Sequence, residues 1–219
     1  MKLRVSIRRN RAMTLLEAVV VTFLLSMLAI VLLPALISSP HHGGQYVNCV
    51  NNLKQVGLAF RIWEGDNNDK YPMAVSVTNG GAMEAVVRGN PMTLFQVMSN
   101  ELNTPLILVC PQDKHRQAAA NFNSTLTSAN VSYFINVDAS EVCPQEIMSG
   151  DDNLEIGGVP IKPGLQKIWT NTPVAWSSGR HKFCGNIGLA DGSVQSENNS
   201  TLRYWLRSTN STPIRLAIP

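Results

Sequence analysis

Apolar residues form one continuous segment near the start of the chain, from Met13 to Ile37, in which Glu17 is the one charged residue. Ala18–Ile37 contains 20 residues without a formal charge. As a helix this length extends about 30 Å, which matches the hydrocarbon core of a bilayer. The pattern predicts a transmembrane helix over residues 13–37. A secretory signal is the alternative, because the small residues of "ALISSP" follow the apolar core.

A second pattern begins after residues 38–47, which are predicted to be a linker because Pro40, Gly43 and Gly44 are poor helix formers. Beyond it, apolar residues recur at spacings of three and four, which is typical of a helix with one face in a hydrophobic core. These residues are Val50, Leu53, Val56, Ala59, Phe60 and Trp63.

After Tyr71 the pattern changes to short apolar runs bounded by turn-forming residues, as expected of β-strands. The runs are "MAVSV", "PLILVC", "VSYFINV", "TPVAWSS" and "FCGNIGLA". "GAMEAVVRG" and "PMTLFQVMSNEL" are predicted to be short helices, and a last helix and tail are predicted around Tyr204–Leu206. The predicted fold class is α+β, with the transmembrane helix followed by a helix packed on an antiparallel sheet in a domain of residues 48–219.

Charge is distributed unevenly along the chain. Five basic residues and no acid precede Ala12, whereas the remaining 13 basic and 15 acidic residues give a net charge of −2. A basic leader before a single span predicts a cytoplasmic N-terminus, an inner-membrane location and a periplasmic C-terminal domain. The absence of a basic face beyond the leader argues against a nucleic-acid partner.

Four cysteines, Cys49, Cys110, Cys143 and Cys184, all follow the apolar segment. An oxidising compartment would let them pair in any of three ways. The shared "CPQ" pattern at Cys110 and Cys143 favours a disulfide between these two residues. The alternative is that all four are reduced and mostly buried thiols.

Glu17 requires a chemical explanation, because a carboxylate in an apolar helix is costly unless it has a partner. An acid that reaches water at the end of the span is one interpretation. A cut between Ala12 and Met13 provides another, since it would remove the leader and create a free amine on Met13. In a stack of parallel helices, Glu17 of one subunit would then neutralise the Met13 amine of its neighbour.

The basic leader, a small residue and "MTLLEAVVVTFLLSMLAIVLLPAL" together resemble the N-terminal cleavage and methylation signal of type IV pilins and type II secretion pseudopilins. The resemblance implies that residues 1–12 are a leader removed by a prepilin peptidase. It also implies that Ala12 precedes the cut, Met13 is methylated and Glu17 directs assembly. Pro34 lies where this family places a helix-kinking proline. The family most often has Gly and Phe at the positions of Ala12 and Met13.

Further patches resemble pseudopilin-like proteins of Planctomycetes, Verrucomicrobia and Lentisphaerae. They include "NCVNNLKQVGLAF", "KYP", "LVCP" and "SYFINV", and a C-terminal motif in which a His is followed by nine residues and Asp-Gly. Here the motif is His181, Asp191 and Gly192. Asp191 and Gly192 are predicted to form a hairpin turn after a strand that His181 opens. Alternatively, His181 and Asp191 bind calcium or another ion; no cofactor is otherwise predicted.

These observations predict a non-enzymatic structural subunit of a type II secretion pseudopilus or type IV pilus-like filament. Its expected partners are a prepilin peptidase, other pilin or pseudopilin subunits and an inner-membrane assembly platform. The alternative is an uncleaved, single-pass membrane anchor that presents an extracytoplasmic binding domain. An enzyme is not predicted, because no nucleophile elbow or phosphate-binding loop is present.

Overall fold

The structure is a computed structural model. It describes residues 14–37, 41–123, 125–208 and 212–219, and it describes the side chains of these residues except those within 31–45. The helices are α1 (Leu15–Ile37), α2 (His41–Asp66), α3 (Met83–Val87), α4 (Met92–Val97), α5 (Ser99–Leu102) and α6 (Asn199–Ser208). The strands are β1 (Tyr133–Asn136), β2 (Ile147–Asp151), β3 (Leu154–Ile156), β4 (Val159–Pro160), β5 (Gly164–Ile168), β6 (Val174–Trp176), β7 (Cys184–Leu189), β8 (Val194–Asn198) and β9 (Ile214–Ile218).

The strands form two antiparallel sheets. The larger has six strands in the order β5-β9-β1-β2-β7-β8, and the smaller has three in the order β4-β3-β6. Side chains that alternate along β1 pack into two different apolar clusters, Tyr133 and Ile135 into one and Phe134 into the other. The larger sheet therefore has a buried layer on each face, as strand geometry requires when both faces are covered.

Helix α2 packs its apolar face into the buried layer that contains Tyr133 and Ile135. The stripe predicted from its three- and four-residue spacing is confirmed, because Leu53, Val56, Ala59, Phe60 and Trp63 are all buried. Val50, at the end of that stripe, is half-buried. The second layer contains Leu202 and Leu206 of α6 together with Trp176 of β6.

Helix α2 begins at His41 and so includes Gly43 and Gly44, within the segment for which a linker was predicted. Glycine costs only about 1 kcal/mol relative to alanine in a helix, and the surrounding sequence can outweigh that preference. The chain divides into two compact units between Gly43 and Gly44, and Gly44–Pro219 forms the larger unit.

The membrane part of the predicted fold class is wrong. Among the described residues, no helix is both long and apolar enough for a membrane crossing. Helix α2, the longest of the described helices, carries Lys54, Arg61, Glu64 and Asp66. The predicted transmembrane helix and single-pass inner-membrane location are corrected accordingly.

Two of the predicted strands are also corrected. "MAVSV" and "PLILVC" lie in segments that form 3-10 turns at Pro72–Ala74, Val77–Asn79 and Pro105–Leu108. Proline begins the first and last of these turns, where its fixed φ favours a helical turn and its missing N–H would weaken a strand ladder. The predicted C-terminal tail is instead β9, which lies between β5 and β1 in the larger sheet.

Candidate functional site

Four buried side chains from separate parts of Gly44–Pro219 form the most chemically distinctive cluster of that unit. Cys49 lies on α2, Cys110 follows the 3-10 turn at Pro105–Leu108, Asp151 ends β2, and His181 precedes β7. We call Cys49, Cys110, Asp151 and His181 the cysteine–histidine cluster. The side chains of Asp151 and His181 are completely buried, and Cys49 and Cys110 are completely buried residues.

Cys110 forms a disulfide with Cys49, with a Cα–Cα distance of 5.0 Å. This pairing corrects the predicted disulfide between Cys110 and Cys143. The shared "CPQ" pattern carries no information about distance, whereas α2 brings Cys49 directly against Cys110. The bond joins α2 to a segment 61 residues away.

The backbone around His181 is unusual. His181, Lys182 and Phe183 have φ angles of 52°, 51° and 64°, in the left-handed region that costs an L-residue roughly 1–2 kcal/mol. This turn places the His181 ring in the interior while Phe183 remains 54% exposed. Strained backbone of this kind persists only where surrounding contacts hold it in place.

The His181 ring makes few polar contacts for a buried imidazole. Its Nε2 lies 3.3 Å from Cys110 Sγ and 3.4 Å from Asp151 Oδ2. Within the part of the chain that the structure describes, its Nδ1 is buried without a hydrogen-bond partner, and so is Asp151 Oδ1. Burial lowers the pKa of His181 and outweighs the opposite effect of Asp151. The edge of the Tyr46 ring packs against it, with centroids 5.2 Å apart.

Next to this cluster lies a network of buried ion pairs centred on Arg180. Its guanidinium lies 3.1 Å from Asp113 and also pairs with Asp152. Arg116 pairs with Asp152 in turn. Sequence reasoning missed this network, although the adjacent "DD" at 151–152 and "RH" at 180–181 stand out in a chain with few charges. We call Asp113, Arg116, Asp152 and Arg180 the arginine network.

The arginine network borders an open cavity of about 230 Å³. Lys114, His115 and Ser177 also line this cavity. Both guanidinium groups are already paired with carboxylates, so the network primarily neutralises buried charge. The cavity therefore has polar walls but little uncompensated charge from Arg116 or Arg180.

A second contact joins two motifs noted in the sequence, "KYP" and the C-terminal Asp-Gly. The Tyr71 hydroxyl donates a hydrogen bond of 2.6 Å to the carbonyl oxygen of Ala190. Asp191 and Gly192 form the turn between β7 and β8, in which the Gly192 N–H donates to the Leu189 carbonyl. Gly192 has a φ of 84°, which glycine adopts without strain. We call Ala190, Asp191 and Gly192 the Asp-Gly turn.

The structure separates the two residues that the sequence offered as an ion site. His181 lies in the cysteine–histidine cluster, whereas Asp191 lies beyond the other end of β7. The Asp191 carboxylate accepts hydrogen bonds from the Ser193 N–H and the Gln145 side chain. This arrangement confirms Asp191 and Gly192 as turn residues and gives no ion site shared by His181 and Asp191.

The assembly residues suggested by the N-terminal pattern lie outside Gly44–Pro219. Glu17 is exposed in the first turn of α1, where its N–H donates to Thr14 Oγ1 at 3.3 Å. Pro34 lies within α1. Ala12 and Met13 lie outside the described residues.

Comparisons with known proteins found no matching family model, no matching curated protein and no matching solved structure.

Proposed function

We propose that this chain is a non-enzymatic structural subunit of a pilus-like filament or type II secretion pseudopilus. In this proposal a prepilin peptidase cuts between Ala12 and Met13, and the subunit then assembles with other pilin or pseudopilin subunits on an assembly platform. The observation that carries the proposal is the surface of α1.

Apart from Glu17, helix α1 is apolar around its whole circumference over Leu15–Ile30. All 16 described side chains of Leu15–Ile30 are exposed, with Leu15 at 86% and Val21 at 40%. The hydroxyls of Thr22 and Ser26 do not create a polar face, since each donates to a carbonyl of the helix itself. A helix that is apolar all round is stable when other apolar surface surrounds it. In a filament, the α1 helices of neighbouring subunits would supply that surface.

Glu17 gives such a stack a means of alignment. It is the one carboxylate of α1, and it lies in the first turn. After cleavage, the Met13 amine of a neighbouring subunit would offer a positive partner at the same end of the helix. Pairing inside an apolar bundle would neutralise both charges, and removing one partner would leave the other buried and uncompensated.

Glu17 also has a local role that any test must separate from assembly. A carboxylate in the first turn interacts favourably with the helix dipole, by about 0.3–1 kcal/mol. That contribution stabilises α1 within one chain and requires no neighbour. Filament formation therefore has to be measured separately from folding.

The experiment uses the full chain produced with a prepilin peptidase and the assembly proteins of a filament system. Intact mass and N-terminal sequencing report cleavage, and electron microscopy with quantitative sedimentation reports filament yield. We expect a mature chain that begins with N-methylated Met13. We expect Glu17→Gln to be cleaved normally but to give at least about tenfold fewer filaments, from the loss of more than about 1.4 kcal/mol per subunit contact.

Asp66→Asn is the matched control, because it removes an exposed carboxylate from α2. It should leave filament yield unchanged. Filaments built from chains that retain residues 1–12 would contradict the proposed processing. Equal yields from Glu17→Gln and Asp66→Asn would contradict the proposed role of Glu17.

A further inference from the structure

The cysteine–histidine cluster contains a set of potential metal ligands. Ligand atoms of Cys49, Cys110 and His181 all lie within 4.8 Å of one another, and all three residues are buried. Two sulfurs and an imidazole nitrogen are donors typical of zinc sites. Calcium, the ion expected as an alternative from the sequence, prefers oxygen ligands. Two sulfurs and one nitrogen therefore do not favour calcium.

His181 is poorly satisfied while the disulfide is closed. Among the described residues, its Nε2 has polar contacts only with a disulfide sulfur at 3.3 Å and with Asp151 at 3.4 Å, and its Nδ1 has no hydrogen-bond partner. Buried imidazoles usually have stronger partners than these. A metal bound at Nε2 would provide such a partner.

The carboxylate of Asp151 lies next to the His181 ring. Asp151 Oδ2 accepts hydrogen bonds from both the backbone N–H and the side-chain amide of Asn186, each at 2.8 Å. Its Oδ1 is buried without a partner. Asp151 is thus oriented by Asn186 and holds a carboxylate oxygen 3.4 Å from His181 Nε2, where it would favour a bound cation. Hydrogen-bonded groups next to the ligands are a regular feature of metal sites.

We propose that the cysteine–histidine cluster binds one zinc ion after a dithiol reductant opens the Cys49–Cys110 disulfide. The disulfide gains two electrons and two protons, and the dithiol is oxidised to its cyclic disulfide. Zinc then replaces the two thiol protons, which pass to solvent, and is bound by Cys49 Sγ, Cys110 Sγ and His181 Nε2. The same cysteines therefore form either a covalent bond or a metal site, according to redox conditions.

The distances require only small movements. Zinc–sulfur and zinc–nitrogen bonds of about 2.3 and 2.0 Å in a tetrahedral site separate sulfur from nitrogen by roughly 3.5 Å. The observed distance from Cys110 Sγ to His181 Nε2 is 3.3 Å. The two sulfurs would have to separate to roughly 3.8 Å once their bond is broken. Rotation of the two cysteine side chains can provide this movement.

The test measures zinc binding by the full chain in its oxidised form and after reduction with a dithiol and removal of the reductant under anaerobic conditions. We expect one zinc per reduced chain by elemental analysis and none per oxidised chain. Cobalt(II) in place of zinc should give thiolate-to-cobalt charge-transfer absorption in the reduced chain alone. His181→Ala should weaken zinc binding by more than about 100-fold, because even partners of metal ligands contribute 10- to 100-fold.

Two controls address the other histidines and thiols. His115→Ala removes an exposed imidazole and should bind zinc like the unmodified chain. The double variant Cys143→Ser/Cys184→Ser should also retain one zinc. Circular dichroism of reduced His181→Ala checks its fold, and Asp151→Asn offers a second variant that keeps the side-chain volume and should weaken zinc binding. The proposal is wrong if the reduced chain binds no zinc, or if zinc binding is unaffected by His181→Ala or is lost in the double variant.

Discussion

Gly57 of α2 and Gly192 of the Asp-Gly turn approach each other so closely that a Cβ atom on Gly57 would lie 3.2 Å from both the Cα atom and the carbonyl oxygen of Gly192. At this distance the helix or the turn would have to shift by a few tenths of an ångström to accept a side chain on Gly57. The turn has little freedom to move away. The Gly192 N–H donates a hydrogen bond to the Leu189 carbonyl, and the Ala190 carbonyl accepts one from the Tyr71 hydroxyl. Two glycines 135 positions apart in the sequence therefore form one packing contact.

Substitution of Gly57 tests this contact. Gly57→Ala should lower the free energy of unfolding by up to about 2 kcal/mol, since overpacking costs about 1–3 kcal/mol and alanine returns about 1 kcal/mol of helix propensity. Gly65→Ala is the matched control in the same helix, because a Cβ atom there would meet nothing within 4 Å. It should leave stability unchanged or raise it slightly. Equal shifts of the urea midpoint in both variants would show that the contact imposes no constraint.

The hydrogen bond from Tyr71 to Ala190 allows a second prediction. Tyr71→Phe removes the hydroxyl donor and leaves a buried carbonyl without this partner, which should cost about 1–2 kcal/mol in chemical denaturation. Tyr204→Phe removes a hydroxyl from a residue that is 68% exposed and should change stability by less than about 0.5 kcal/mol. Indistinguishable denaturation curves for the two variants would mean that the Tyr71 bond contributes nothing net.

The Cys49–Cys110 disulfide should contribute substantially to stability. Chain-entropy reasoning gives about 4 kcal/mol for a loop of 61 residues. We expect a dithiol, in zinc-free buffer, to lower the free energy of unfolding by roughly this amount. The double variant Cys49→Ala/Cys110→Ala should not respond to the dithiol, and Cys184→Ser should respond as the unmodified chain does. A double variant that still loses stability on reduction would assign the effect to other cysteines.

Asp113 predicts a dependence of stability on acidic pH. Burial would raise the pKa of Asp113, but Arg180, the His115 N–H and the Ser132 hydroxyl outweigh it and leave this pKa lowered. A carboxylate with a lowered folded-state pKa contributes its stability above its unfolded pKa of about 3.9 and loses it as the pH falls through the folded value.

Asp113→Asn should therefore cost about 2 kcal/mol at pH 7, the scale of a hydrogen bond to a charged group. The difference from the unmodified chain should shrink as the pH falls below about 4. Urea unfolding at intervals from neutral to acidic pH measures this change, with Asp66→Asn as the control for an exposed carboxylate. A cost that stays constant at every pH would show that the charge of Asp113 is not the source of its contribution.

Local patterns in the sequence determined several features directly. The spacing of Leu53, Val56 and Phe60 predicts the buried face of α2, because a helix repeats every 3.6 residues whatever surrounds it. "DG" after an apolar run predicts the turn at Asp191 and Gly192, and Gly192 has the left-handed φ that glycine adopts without strain. Each of these features depends on neighbours within one or two turns of chain.

Membrane insertion was the principal error of local reasoning, since the apolar composition of residues 13–37 predicted a span that the described helices do not provide. The two segments that became 3-10 turns show a similar limit. Apolar content alone does not distinguish a strand from another buried conformation. The prolines at the start of these turns were the local signal that favoured a turn.

Only the tertiary structure decided which distant residues meet. It pairs Cys49 with Cys110, places His181 against Asp151 and separates His181 from Asp191. None of these relationships follows from the spacing of residues along the chain. Each depends on the order of strands in the sheet and on where α2 packs against it. The sequence by itself determined the periodic elements and the turn residues, whose causes are local. The chemistry of the buried cluster arises from long-range packing, which no short stretch of sequence contains.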